Sequence, residues 1–300
     1  MQRLRWLSVA LVLGALLLAA ACGDDDTDAA ATSTATPNAT AAAQATFAPG
    51  SAMARLVAAG KLTVGVKFDQ PGFGLRDASG KIDGFDVAIA REIGRALGLR
   101  EDQVTFVEVT SANRVQYLNE GRVDLVAASM TITDARRQEV DFSRIYFRAG
   151  QSLLIRRDNT SIVNVTSVNR RKVCSVAGST SAENIRNRAG QVDLVTMDTY
   201  SACVAALKAG AVEAVTTDDA ILAGFVKADS SLRLIGGAFS VEPYGIAVKK
   251  GQPELVAFID SVINAMLRDG RWDRFYTQYF GGIEGLESAQ AMHASLPAAN

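Results

Sequence analysis

Few side chains in this 300-residue chain are suited to bond-making chemistry. There is one His, His293, close to the end, so a Ser/His/Asp triad or a His-based zinc site has almost no material to work with. The three Cys, at 22, 174 and 203, form no close CxxC pair, which leaves redox and metal roles without support. Neither a metal nor a cofactor is expected. Thirty-one basic against 32 acidic side chains give a net charge of -1, too little to draw the chain onto nucleic acid or anionic lipid, so charge recognition must be local. With 48% hydrophobic and 21% charged residues, the composition is that of a soluble globular chain with room for two domains of about 100 to 150 residues.

Cys22 has a separate meaning. Arg3 and Arg5 precede an uncharged run from Leu7 to Ala21 that ends in small residues. This reads as a secretory signal peptide, because the run is shorter than the roughly 20 residues needed to span a bilayer. Ala20 and Ala21 ahead of Cys22 resemble a bacterial lipobox, in which the Cys is lipidated and becomes the mature N-terminus, although Ala19 stands where that pattern usually has Leu. Cleavage to a freely secreted protein is the alternative. Residues 23–50 hold 10 Ala and 6 Thr and one aromatic, too little apolar surface to offset the entropy of ordering, so they read as a flexible tether. The expected location is outside the cytoplasm, on the outer face of the bacterial membrane and attached only through that lipid. In an exported chain Cys174 and Cys203 are most simply one disulfide, two buried free thiols being the other reading.

The elements that must position any site follow from apolar periodicity. From Lys61, strand-like runs (LTVGV, VTFVEV, VDLVAAS) alternate with helical patterns, the clearest at Asp86 to Leu97, where Val87, Ile89, Ala90, Ile93 and Leu97 recur at helical spacing before Gly98. The grammar restarts at VCSV (173–176) and continues through VDLVTM, SACVAALKAG, VEAVTT and DDAILAGFV. Two such units predict an α/β chain of two lobes. SLLIRR (152–157) and YGIAVKK (244–250) are expected to cross between them as a hinge. This gives a first lobe at 51–151 plus 245–285, a second at 152–244, and a C-terminal tail at 286–300. Trp272, Phe275, Tyr276 and Tyr279 fall on one helical stripe and read as core.

GFDVAIAREIGRALG, followed by GRVDLVAASMTITDARRQEVDFSRIYFRAGQSLLI, resembles the family 3 extracytoplasmic solute-binding proteins that serve polar amino-acid ABC importers, over essentially all of residues 61–282. VGVKFDQPGFG, VCSVAGSTSAENI and EAVTTDDAILAGF are similar to the glutamate/aspartate-binding branch, including the paired Cys. Ala88 departs from the family signature, where an acid is common. The resemblance implies a two-lobe periplasmic binding fold of type II, closing on its ligand like a trap.

It also implies roles residue by residue. Arg136, in TITDAR, takes an α-carboxylate in a bidentate fork that Lys cannot form. Ser129 and Thr131 supply backbone and hydroxyl contacts. Thr180, in GSTS, lies where a helix N-terminus points amides at an anion. Asp218 pairs with an α-ammonium, and Asp219 caps the next helix. Lys67 and Arg114 bring cations to a distal carboxylate. Gln70 and Tyr244 shape the pocket without a firm role. These cations around Asp218 as the one acid give a cleft of +2, which selects glutamate or aspartate, since a neutral ligand leaves a cation unpaired.

The function so implied is capture of an acidic amino acid by a monomer and delivery to an ABC permease, without catalysis. Glutamine binding is one alternative. An exported cyclohexadienyl dehydratase on the same scaffold is another, with Asp218 or Glu242 asked to act as general acid.

Overall fold

The structure is a computed structural model that describes residues 46–298, so the expected signal peptide, Cys22 and the expected tether up to residue 45 lie outside the described residues. Residues 46–50, expected in the tether, belong to the body: Phe47 packs edge-on against Phe258 with ring centroids 5.4 Å apart. Among the described residues no helix is long and apolar enough to cross a membrane.

The chain begins with α1 (Ala52–Ala59), capped by the Ser51 hydroxyl, and β1 (Leu62–Val66). A small meander follows, β2 (Asp69–Gln70), β3 (Gly74–Arg76) and β4 (Ile82–Asp83), and leads into α2 (Phe85–Ala96). Next come β5 (Val104–Glu108), α3 (Arg114–Asn119), β6 (Leu125–Val126), α4 (Asp134–Glu139) and β7 (Val140–Phe142). The helix expected from the 3.6-residue period is α2, which buries Phe85, Val87, Ile89, Ala90 and Ile93 completely. Truncating a residue such as Ile93 to Ala is expected to cost roughly 2–5 kcal/mol. Ala88, the departure from the family signature, is buried on this helix.

After β8 (Phe147–Ala149) the chain builds the second unit from β9 (Gln151–Arg156), β10 (Lys172–Val176), α5 (Thr180–Arg188), β11 (Asp193–Met197), α6 (Tyr200–Lys208), β12 (Ala214–Asp218), α7 (Asp219–Ala228) and β13 (Leu232–Ile235). It returns through β14 (Glu242–Tyr244) and β15 (Ala247–Lys249) to α8 (Pro253–Arg268), α9 (Arg271–Phe280) and α10 (Ala289–Ser295).

The first sheet runs β5-β1-β6-β15-β7 and the second β11-β10-β12-β9-β13. In each, four strands point the same way and one runs antiparallel to its two neighbours: β15 between β6 and β7, β9 between β12 and β13. The crossing strands are β8 and β14, paired antiparallel with each other. This corrects the sequence-based hinge, because residues 152–157 fall largely in β9, within the second sheet, and 244–250 carry β15, within the first. Those stretches are apolar because a sheet interior surrounds them. The true crossings, FRA and EPY, are too short and polar to carry a strand signal.

An aromatic cluster roots the hinge. Phe147 and Tyr244 stack with centroids 5.6 Å apart, and Phe73, Phe85, Trp272, Tyr276 and Phe280 close around them. On α9, Trp272 and Tyr276 are fully buried core, as the stripe predicts, while Phe275 and Tyr279 are partly covered. The expected tail holds α10, whose Ala289 and Met292 are buried, so residues 286–298 are part of the body. Cys174 of β10 and Cys203 of α6 form the disulfide.

Candidate functional site

The site arises where strands run out. β1 ends one residue before Lys67, β5 leads to Ser111 and Arg114, and β6 leads to Ser129 and Thr131. In the second sheet β10 leads to Ser179, Thr180 and Ser181, and β12 ends on Asp218. The carboxyl ends of both sheets therefore face one another, as ligand sites of open α/β sheets require. A narrow cavity lies between them, lined by Gln70, Arg114, Ser129, Thr131, Thr180 and Asp218, with Ser111, Tyr200 and Thr217 among the remainder. Its volume is about 10 Å³, room for about one water, so an amino-acid-sized ligand needs the lobes to part or the lining to shift.

Five of the seven expected site residues line this cavity. Lys67 stands behind it, 3% exposed, its Nζ donating to Ser111 Oγ at 3.1 Å. Arg136 stands at the mouth, in an outer groove shared with Thr180, Gly178 and Arg186. Its guanidinium donates to the Thr131 carbonyl at 2.7 Å and the Gly178 carbonyl at 3.2 Å, one in each lobe.

The lobes are closed. Asp69 Oδ2 accepts the Tyr200 amide at 2.8 Å across the cleft, at the N-terminus of α6. Gly178 has φ +74° and leaves no room for a side chain, since a Cβ there would meet Ala112 Cα of the first lobe at 2.9 Å. At Gly224 on α7, a Cβ would meet the Pro71 carbonyl oxygen at 2.2 Å.

Ser129 is held in a left-handed conformation, φ 41°, that a residue with a Cβ rarely adopts. Its amide donates to Asp86 Oδ2 at 2.8 Å and its hydroxyl to Gln70 Oε1 at 2.6 Å. Asp86, fully buried, also accepts the Tyr146 hydroxyl at 2.6 Å. On α5 the Ser179 hydroxyl caps the Ala182 amide at 3.0 Å. Thr180 and Ser181 then present first-turn amides, which have no intrahelical acceptor, at the positive end of the helix dipole.

Asp218 accepts Ser181 Oγ at 3.3 Å and, very closely, the Tyr244 hydroxyl. Burial, then the charge of Glu242, raises its pKa to about 8. Asp218 sits at the N-cap position of α7 with its carboxylate turned away from the helix amides. Asp219 is the first helical residue rather than the cap, and its Oδ1 accepts the amides of Ala220 at 2.7 Å and Gly150 at 3.2 Å. Burial, aided by the charge of Arg114, lowers the Lys67 ammonium to about 7. Burial and Arg136 lower Arg114 as well, and the guanidinium stays charged.

Sequence reasoning named the second acid only as a general acid for the rival dehydratase reading, not as part of the binding cleft. Glu242, 2% exposed, accepts Thr131 Oγ1 at 2.8 Å and Thr180 Oγ1 at 2.9 Å. Arg136 thus faces both Glu242 and Asp218, Arg114 faces Asp218, and Lys67 faces Asp69 and Asp86, so the expected +2 around one isolated acid does not hold. Asp86 could have been found as the single carboxylate on the α2 stripe shared with Ala90, Ile93 and Leu97. Glu242 leaves no local signal. The site holds charges of both signs around a narrow cleft, an arrangement for gripping a small molecule bearing both signs.

Comparison with known proteins agrees. Residues 62–282 match the model of the bacterial extracellular solute-binding proteins, family 3, and this chain belongs to that family. It is a solute-binding protein, not an enzyme. The ABC transporter glutamine-binding protein GlnH of Bacillus subtilis is 42% identical over 73% of this chain and 81% of its own length. The glutamate-binding protein GluB of Corynebacterium efficiens is 33% identical over 79% of this chain and 83% of its own. A solved structure, an ancestral arginine-binding protein bound to glutamine, superposes with a TM-score of 0.70 at 38% identity, covering 74% of this chain and 98% of that one.

Proposed function

We propose that the chain captures a polar α-amino acid, glutamine foremost, between its lobes and delivers it to an ABC importer from a lipid anchor at Cys22. The observation that carries this reading is the convergence of Arg114, the α5 N-terminus and Asp218 on one cavity between the lobes, with Arg136 at its mouth. The α-carboxylate is assigned to Arg136 and the amides of Thr180 and Ser181, displacing the carbonyl contacts that occupy the guanidinium. The α-ammonium is assigned to Asp218, whose carboxyl gives up its proton as the cation arrives. Ser129 and Thr131 fill the remaining valences.

Glutamine is preferred because it is neutral overall and adds nothing to a cleft whose buried charges already offset one another. The similarity to GlnH supports the same choice. Glutamate is the second reading, and a specific observation favours it: among the described residues Lys67 has no carboxylate at ion-pair distance and can meet a distal carboxylate directly.

A thermal-shift screen across the twenty amino acids tests the reading. Glutamine at about a thousand times its Kd is expected to raise the Tm by roughly 10 °C. Lys67→Met is expected to weaken glutamate at least tenfold more than glutamine. No shift with any polar amino acid would overturn the proposal.

A further inference from the structure

Glu242 lies on β14, the returning crossing strand, which is part of neither five-stranded sheet. Its carboxylate is saturated with hydrogen bonds from three places. Oε2 accepts Thr131 Oγ1 of the first lobe at 2.8 Å and Thr180 Oγ1 of the second at 2.9 Å. Oε1 accepts Asn184 Nδ2 of α5 at 3.0 Å and Ser240 Oγ, just before the strand, at 2.7 Å.

A carboxylate accepts only, with about four lone-pair directions, and here four neutral donors fill them. Among the described residues no Lys or Arg comes within 4.0 Å of it, so these donors are what compensates its burial. The arrangement depends on closure. Thr131 and Thr180, whose hydroxyl oxygens are 3.4 Å apart, belong to different lobes. When the lobes part, one hydroxyl at least must leave the shared oxygen. Every contact lies within the chain.

We propose that Glu242 is a positioning residue for closure: by holding the Thr131 and Thr180 hydroxyls on one carboxylate oxygen, it biases the unliganded protein toward the closed form and slows ligand release. Its failure is separable from failure of the amino-acid reading, because the bias is measured without ligand.

The test is pulsed electron–electron resonance between spin labels at Gln138→Cys and Asn187→Cys, one on each lobe, in the full chain with Cys22→Ala and the native disulfide kept. Glu242→Gln keeps the shape but brings an amide nitrogen that cannot accept. It is expected to shift the unliganded distance distribution toward longer distances and, where an amino acid binds, to speed dissociation about tenfold with little change in association. Thr131→Val and Thr180→Val are expected to lengthen the distances likewise, and adding Glu242→Gln to the pair is expected to add little. Should Glu242→Gln fail to fold, the two Val variants read the same bridge alone. Distances unchanged by any of these substitutions, or effects that add in full, would overturn the proposal.

Discussion

Asp218 is poorly placed for its own stability. Its pKa of about 8, against an ordinary 3.8, means that near pH 7 the folded, unliganded chain holds a proton the unfolded chain has lost. Its contribution to stability is therefore fully present below about 3.8 and is lost as pH rises through about 8. Asp218→Asn keeps an acceptor for the Tyr244 hydroxyl and removes the charge. Thermal unfolding of the unliganded variant at pH 8 is expected to show a Tm roughly 3 to 6 °C above that of the parent, while amino-acid binding is lost. A lower Tm would contradict the assignment of Asp218 as a destabilised binding group. At this scale the sequence revealed residue types with distinctive chemistry, such as the Arg of TITDAR and the Asp ending VEAVTTD. It concealed the place of Glu242 between the lobes, because that side chain matters only through where Thr131 and Thr180 arrive in space.

Among the elements, β10 and α6 show how local structure supports the site from behind. The Cys174–Cys203 bridge ties the strand leading to Ser179 and Thr180 to the helix whose N-terminus meets Asp69. With a sequence separation of 29, the chain-entropy account gives about 3.5 kcal/mol of stabilisation. Cys174→Ser with Cys203→Ser is expected to lower stability by about that amount in urea unfolding, with the binding stoichiometry of the remaining folded protein unchanged. A loss below about 1 kcal/mol would contradict this. The α/β alternation was legible because helices and strands here have clean apolar periods, α2 above all. The hinge was not, because three-residue strands such as EPY are defined by the partner they pair with, not by a pattern of their own. Residues 286–298 misled for a similar reason: α10 is short, and only its packing on the body makes it an element.

Seen whole, the protein is two sheets whose strand ends oppose one another, joined by two short strands anchored in an aromatic cluster. That architecture places the bend at two short strands, and it accounts for lobe closure as a population shift driven by contacts available only in the closed form. Attachment belongs to this scale too. Cys22→Ala is expected to move the protein from the membrane fraction to the soluble fraction of the producing bacterium, and unchanged partition would contradict lipidation at that residue. The most direct measurement of the central claim is a calorimetric titration of the purified protein with glutamine and glutamate at pH 7 in two buffers of different ionisation enthalpy. The account predicts binding of one glutamine per chain, with a buffer-dependent heat that reports a proton released from Asp218. No heat with either amino acid in both buffers would contradict it.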